Sequence, residues 1–160
     1  MNVSTLNKPR HSHCQEEPDA GNYFVAAYPP FSAWTPQGVG ALHSTLEHPR
    51  TDPVGLYIHL PFCPKKCDYC YYLSYIAQSA DIVNRYLDSV VKELQLYAAL
   101  PGIQKRPVNF AYFGGGTPST LSTTQLERLT NGLRDVLPWN EIQEITYECA
   151  PRSVRPSFLE

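Results

Sequence analysis

Three short strand-like runs, at residues 54–60, 108–113 and about 143–149, alternate with two stretches of helical period, and this rhythm leaves few folds open to the chain. The first run, VGLYIHL, ends at Pro61 and reads as a strand buried on both faces. Next, Val83, Leu87, Val90, Leu94 and Tyr97 recur at intervals of four, three, four and three, the stripe of an amphipathic helix. Ser79 or Asp81 can cap its start, and Pro101 and Gly102 end it. After the second run, VNFAYF, Ser122 and Gln125 form a capping box for a helix striped by Leu126, Leu129, Leu133 and Val136 and stopped by Pro138. In the third run Glu144, Thr146 and Glu148 share one side, and Ile145, Tyr147 and Cys149 the other.

Strand, helix, strand, helix, strand implies right-handed crossovers and a parallel sheet, hence an α/β fold. About two and a half βα units cannot close a barrel, so the chain is expected to be the front part of something longer. The closing PRSVRPSFLE reads as the opening of a third helix. Ahead of the regular part, residues 1–22 are polar, with His11, His13 and Cys14 in no regular pattern, and read as a solvated tail. Residues 22–36, NYFVAAYPPFSAWTP, form an irregular aromatic and proline-rich arm, either packed against the fold or walling a site. Residues 37–53 read as a linker. The expected division is therefore a tail and arm at 1–53 and a core at 54–160.

A net charge of −2, with basic and acidic residues intermixed, offers no field for nucleic acid. The polar N-terminus lacks the apolar segment of a secretory signal, and no run approaches the length of a membrane span. Five cysteines, an odd number with three inside eight residues, suit a reducing compartment and a metal site, so the expected location is cytoplasmic.

In parallel α/β folds reactive groups gather at the carboxyl ends of the strands. Here the first strand ends in a loop with Cys63, Cys67 and Cys70, the second in Gly114, Gly115 and Gly116, and the third in Glu148. Three thiolates can hold three irons of a 4Fe-4S cluster and leave the fourth iron open to a chelating ligand. Structural zinc, with His59 or Cys149 as fourth ligand, is about equally compatible with the spacing alone. Three successive glycines let backbone approach a ligand closely, more than a plain tight turn requires. There is no lysine of a Walker phosphate loop, and GGGTP is not G-x-G-x-x-G. Glu148 can accept hydrogen bonds from a ribose or an ammonium group.

The blocks YIHLPF, Cys63-x-x-x-Cys67-x-Tyr69-Cys70, YFGGGTPS and ITYE, in that order, resemble the radical S-adenosylmethionine (SAM) superfamily. Within it the sequence is most similar to oxygen-independent coproporphyrinogen III oxidases and their heme-chaperone relatives, over residues 54–160. The resemblance implies the front of a radical SAM partial TIM-type barrel. It implies a 4Fe-4S cluster held by Cys63, Cys67 and Cys70, and SAM contacts at Tyr57, Tyr69, Gly115 and Glu148, with Tyr69 over the adenine. Gly116 and Thr117 match positions that touch a second SAM in the coproporphyrinogen enzyme. The implied activity is reductive cleavage of SAM to methionine and a 5'-deoxyadenosyl radical, fed by an external donor such as flavodoxin or ferredoxin and acting on a small molecule or tetrapyrrole. Relatives with the same core include heme chaperones and methylases that use two SAM molecules. After Cys70 the chain reads YYLSY, with Tyr72 where the coproporphyrinogen enzymes carry a further cysteine.

Overall fold

The computed structural model describes residues 35–70 and 72–154; the tail, the arm up to residue 34 and most of the closing decapeptide lie outside them. The chain divides into two compact units, Met1–Gly38 and Val39–Glu160, and the second carries every element below except the opening turn of the first helix.

A parallel sheet in the order β1-β4-β5 forms from β1 (Val54–Leu60), β4 (Val108–Gly115) and β5 (Glu144–Tyr147). Two helices, α2 (Ala80–Ala98) and α3 (Thr123–Val136), make the crossovers. This is the expected order of two and a half βα units. The expected signals also set the helix ends. Ser79 caps α2, its hydroxyl accepting from the Ile82 amide, and Ser122 and Gln125 close a complete capping box on α3. Both helices lie on one face of the sheet, where Leu87, Leu129 and Leu133 pack with Ile58, Leu60, Ala111 and Phe113. Each such large side chain contributes about 1.5–3 kcal/mol by leaving water. Gln125 Nε2 donates to Asn84 Oδ1 at 2.9 Å, fastening α3 to α2 beside the strand ends.

Three findings differ from the sequence expectations. First, β1 is not buried on both faces: its residues alternate, Ile58 and Leu60 inward, Tyr57 and His59 exposed, because the helices cover only one side. Second, a helix, α1 (Pro36–Glu47), occupies most of the expected linker. Pro36 opens it, where a missing N–H costs nothing, and the Gly38 amide donates to the Thr35 carbonyl. Its residues are all wholly or partly exposed, with Val39 and Leu42 open to water. Third, the cysteine loop is closed at its base by a two-residue parallel pairing, Phe62–Cys63 (β2) with Tyr75–Ile76 (β3).

Below the sheet, Arg106 stitches the entry of β1 to the loop before β4. It is 8% exposed. Its Nε donates to the Asp52 carbonyl at 2.6 Å, Nη1 to the Gly102 carbonyl at 2.9 Å, and Nη2 to both Asp52 Oδ2 at 2.8 Å and the Pro53 carbonyl at 3.0 Å. The hydrogen bond from Arg50, with the nearby charge of Arg106, holds the Asp52 carboxyl below the usual carboxylate range.

Candidate functional site

The register places Leu60, Gly115 and the exit of β5 at one level, so the three carboxyl ends form one mouth. The cysteine loop and the glycine turn are joined there by backbone: the Gly116 amide donates to the Leu60 carbonyl and the Thr117 amide to the Phe62 carbonyl, each at 2.8 Å. Gly116 then lies so close to β2 that a Cβ would stand 2.9 Å from Cys63 Sγ and 2.7 Å from the Phe62 carbonyl oxygen. The Thr117 hydroxyl donates to the same sulfur at 3.5 Å. Gly115 has φ +119°, a conformation L side chains rarely adopt.

Gly115 also donates its amide to Glu148 Oε2 at 3.0 Å, while the Tyr112 hydroxyl donates to Oε1 at 2.7 Å. The Glu148 amide donates to the Phe113 carbonyl, which sets that residue against β4. Next to it, the Tyr57 and Tyr112 rings lie 5.8 Å apart, and the Tyr57 hydroxyl is 3.1 Å from His59 Nδ1. The hydrogen bond to Glu148, then burial, raises the Tyr112 phenol above its ordinary pKa; burial, then the Glu148 charge, does the same for Tyr57. Both phenols therefore stay protonated near neutrality and remain donors.

The sequence candidates thus fall into four sets. Cys63, Gly116 and Thr117 are in contact; Gly115 and Glu148 are bonded; Tyr57 lies on the open sheet face, 61% exposed, beside Tyr112. Cys67 and Cys70 share a turn in which the Cys70 amide donates to the Cys67 carbonyl at 3.0 Å. Tyr69 between them is 87% exposed, and a hydrogen bond with Cys67 raises its phenol pKa. Cys63, Cys67, Cys70 and Cys149 are free thiols, and among the described residues no three or more His, Cys, Asp or Glu side chains gather closely enough to hold a metal ion. Neither expected fourth zinc ligand is drawn to the loop by a hydrogen bond: His59 contacts Tyr57, and Cys149 donates to the Tyr147 carbonyl at 3.6 Å. One loop supplies all three sulfurs, and the Cys63 sulfur occupies space that any side chain at 116 would fill.

Tyr112 is the site residue that sequence reasoning missed. Its signal was its place two residues before the first glycine, on the same strand face as Gly114 and opposite to Phe113.

No protein-family model matches the chain. Similarity to curated proteins covers about two thirds of it. The chain is 34% identical over 102 residues to the heme chaperone HemW of Buchnera aphidicola from Acyrthosiphon pisum, spanning 64% of this chain and 27% of that protein. It is 39% identical over 110 residues to the oxygen-independent coproporphyrinogen III oxidase of Synechocystis, spanning 69% of this chain and 23% of that protein. The chain therefore spans about a quarter of the length of these relatives. Among solved structures, coproporphyrinogen III oxidase (HemN) from Escherichia coli, described as a radical SAM enzyme, superposes with a TM-score of 0.67 at 28% identity, over 86% of this chain and 31% of HemN. No helix among the described residues is long and apolar enough to cross a membrane. Over about two thirds of its length the chain is a homologue of the oxygen-independent coproporphyrinogen III oxidases and the HemW heme chaperones, and its fold matches part of that of the radical SAM enzyme HemN.

Proposed function

We propose that this chain is the cluster- and SAM-binding front part of a cytoplasmic radical SAM enzyme acting on a small molecule or tetrapyrrole, with electrons supplied by a flavodoxin or ferredoxin. The observation that carries the reading is the junction at the strand ends: Gly116 is packed on the Cys63 sulfur while its neighbour Gly115 is bonded to Glu148. In this reading Cys63, Cys67 and Cys70 hold a 4Fe-4S cluster. When bound, the cluster and SAM supply the difficult chemistry, reductive cleavage to methionine and a 5'-deoxyadenosyl radical.

The chain's own residues bind and orient. The glycine turn presents peptide groups where no Cβ intervenes, next to the loop sulfur. Glu148 offers SAM a carboxylate whose two oxygens each keep a lone pair after accepting from Tyr112 and Gly115. Tyr57 joins SAM from β1, where it lies beside Tyr112, Tyr69 stands exposed on the cysteine loop to cover the adenine, and Gly116 and Thr117 are assigned to a second SAM.

The test is anaerobic reconstitution with iron and sulfide. Iron and sulfide near four per chain, brown absorbance and reductant-dependent release of 5'-deoxyadenosine from SAM are expected. A product that retains zinc and no sulfide would refute the reading. The HemW relatives favour a second reading, a heme-binding chaperone of the same family, which predicts stoichiometric heme binding and little SAM cleavage. Measuring 5'-deoxyadenosine with and without heme separates the two.

A further inference from the structure

We infer that Tyr112 is a positioning residue for SAM: through Glu148 it fixes the carboxylate that receives a hydroxyl or ammonium donor of that ligand. The inference rests on the SAM reading above and goes beyond the residues which that reading assigns.

A glutamate at the end of a strand has three rotatable bonds and, left alone on an open face, samples many rotamers. Glu148 is held at both oxygens instead, by a phenol from β4 at 2.7 Å and by the Gly115 amide at 3.0 Å. Two donors on different oxygens define the plane of the carboxylate as well as its position. The phenol is itself held. Its ring lies beside that of Tyr57, with centroids 5.8 Å apart and planes inclined by 32°.

Gly114 carries an independent sign of the same device. A Cβ there would stand 2.7 Å from the Tyr112 ring and 3.1 Å from the Glu148 carboxyl carbon. The first glycine of the turn is thus the gap in which phenol and carboxylate meet, while the second and third serve the turn itself and the Cys63 sulfur. All three glycines then have separate work, which a tight turn alone does not explain. The raised phenol pKa agrees with a neutral donor held by an anionic acceptor.

The test uses the full chain, reconstituted anaerobically, with Tyr112→Phe, Gly114→Ala, Glu148→Gln and the double variant Tyr112→Phe/Glu148→Gln. Tyr112→Phe keeps the ring and removes only the donor. Its dissociation constant for SAM by calorimetry should rise about tenfold, the scale of one charge-assisted hydrogen bond. The rate of SAM cleavage at saturating SAM should stay within about twofold, because the residue orients and does not react. Gly114→Ala should weaken binding in the same direction. On the Glu148→Gln background the tyrosine substitution should add nothing further.

A readout without cofactor accompanies these. In ultraviolet difference titration of the unloaded chain, Glu148→Gln should return one phenol toward its ordinary range, and the same phenol should be missing in Tyr112→Phe. Unchanged SAM affinity in Tyr112→Phe, with Glu148→Gln weakened, overturns the positioning role alone. An equal loss from Tyr112→Phe on both backgrounds also overturns it, since the effect would then not pass through Glu148. Unchanged affinity in Glu148→Gln overturns the inference together with Glu148's place in the SAM reading.

Discussion

Replacing Gly116 by alanine puts one methyl group where the cysteine loop and the glycine turn touch. The added carbon would stand 2.7 Å from the Phe62 carbonyl oxygen, 2.9 Å from the Pro61 carbonyl carbon and 2.9 Å from Cys63 Sγ, against ordinary contact at 3.4–4 Å. Each separation must therefore open by roughly 0.5 Å or more. Two of the three atoms are backbone, and that backbone is held from both sides. Gly116 and Thr117 donate to Leu60 and Phe62, while Tyr75 and Ala77 donate to the Pro61 and Cys63 carbonyls at 2.8 and 3.0 Å. Relief has to come from lengthening these bonds or from expelling the sulfur. Overpacking of this kind costs about 1–3 kcal/mol, which for a unit of this size lowers the melting temperature by about 4–12 °C. Differential scanning fluorimetry reads the loss. Pulsed alkylation with mass spectrometry reads the Cys63 thiol, which should label faster in the variant while Cys149 labels as before. A variant that melts with the parent and labels Cys63 at the parent rate would refute the close packing of the two loops.

Other perturbations follow from the same geometry. Arg106→Met keeps much of the side-chain volume but leaves three backbone carbonyls without their donor, so urea unfolding should show a loss of about 2–3 kcal/mol; the half-exposed Asp52 adds little to that figure. Gly40→Ala, on α1 with nothing within 4 Å of the new methyl, should instead raise helix stability by about 0.5–1 kcal/mol, seen as slower amide exchange over residues 40–47. Burial, then the Cys149 charge, lifts the Tyr147 phenol well above its ordinary value of 10.0, and its hydroxyl donates to the Pro118 carbonyl at 2.6 Å. Above the ordinary value the unfolded chain sheds this proton while the folded chain keeps it, so stability present below about pH 10 should fall as pH rises further. Tyr147→Phe should flatten that alkaline decline and cost about 1 kcal/mol at neutral pH, measured by urea titration across the range.

What the sequence disclosed and what it hid divide along physical lines. The helices α2 and α3 were legible because an apolar stripe at helical period and a capping serine are local properties of the chain. The parallel order followed from their alternation with strands. The helix α1 was not legible, because Gly38 and Gly40 break the pattern and its apolar residues are few and exposed. In β1 the near-continuous apolar run concealed that Tyr57 and His59 are amphipathic groups that tolerate an open face. Cysteines and glycines announce a site by type and spacing. Arg106 announced nothing and Tyr112 only its place two residues before the first glycine, since an aromatic in a strand passes for core and an arginine in a loop passes for a solvated charge. Each acquires its meaning only from partners 36 and 54 residues away.

The short pairing of β2 with β3 also has a consequence for how such a chain tolerates change in length. From Leu60 to Cys63 every residue carries a backbone bond to the glycine turn or to β3, or stands between two that do, so one inserted residue there would break the match with 116–117 and 75–77 together. Between the third cysteine and β3, by contrast, Leu73 stands open to water, 76% exposed. Extra residues should be accepted in that second stretch, where a longer loop costs only slowly growing closure entropy. Natural variation in the loop, and any engineered tag or label, belongs after the third cysteine and not before the first.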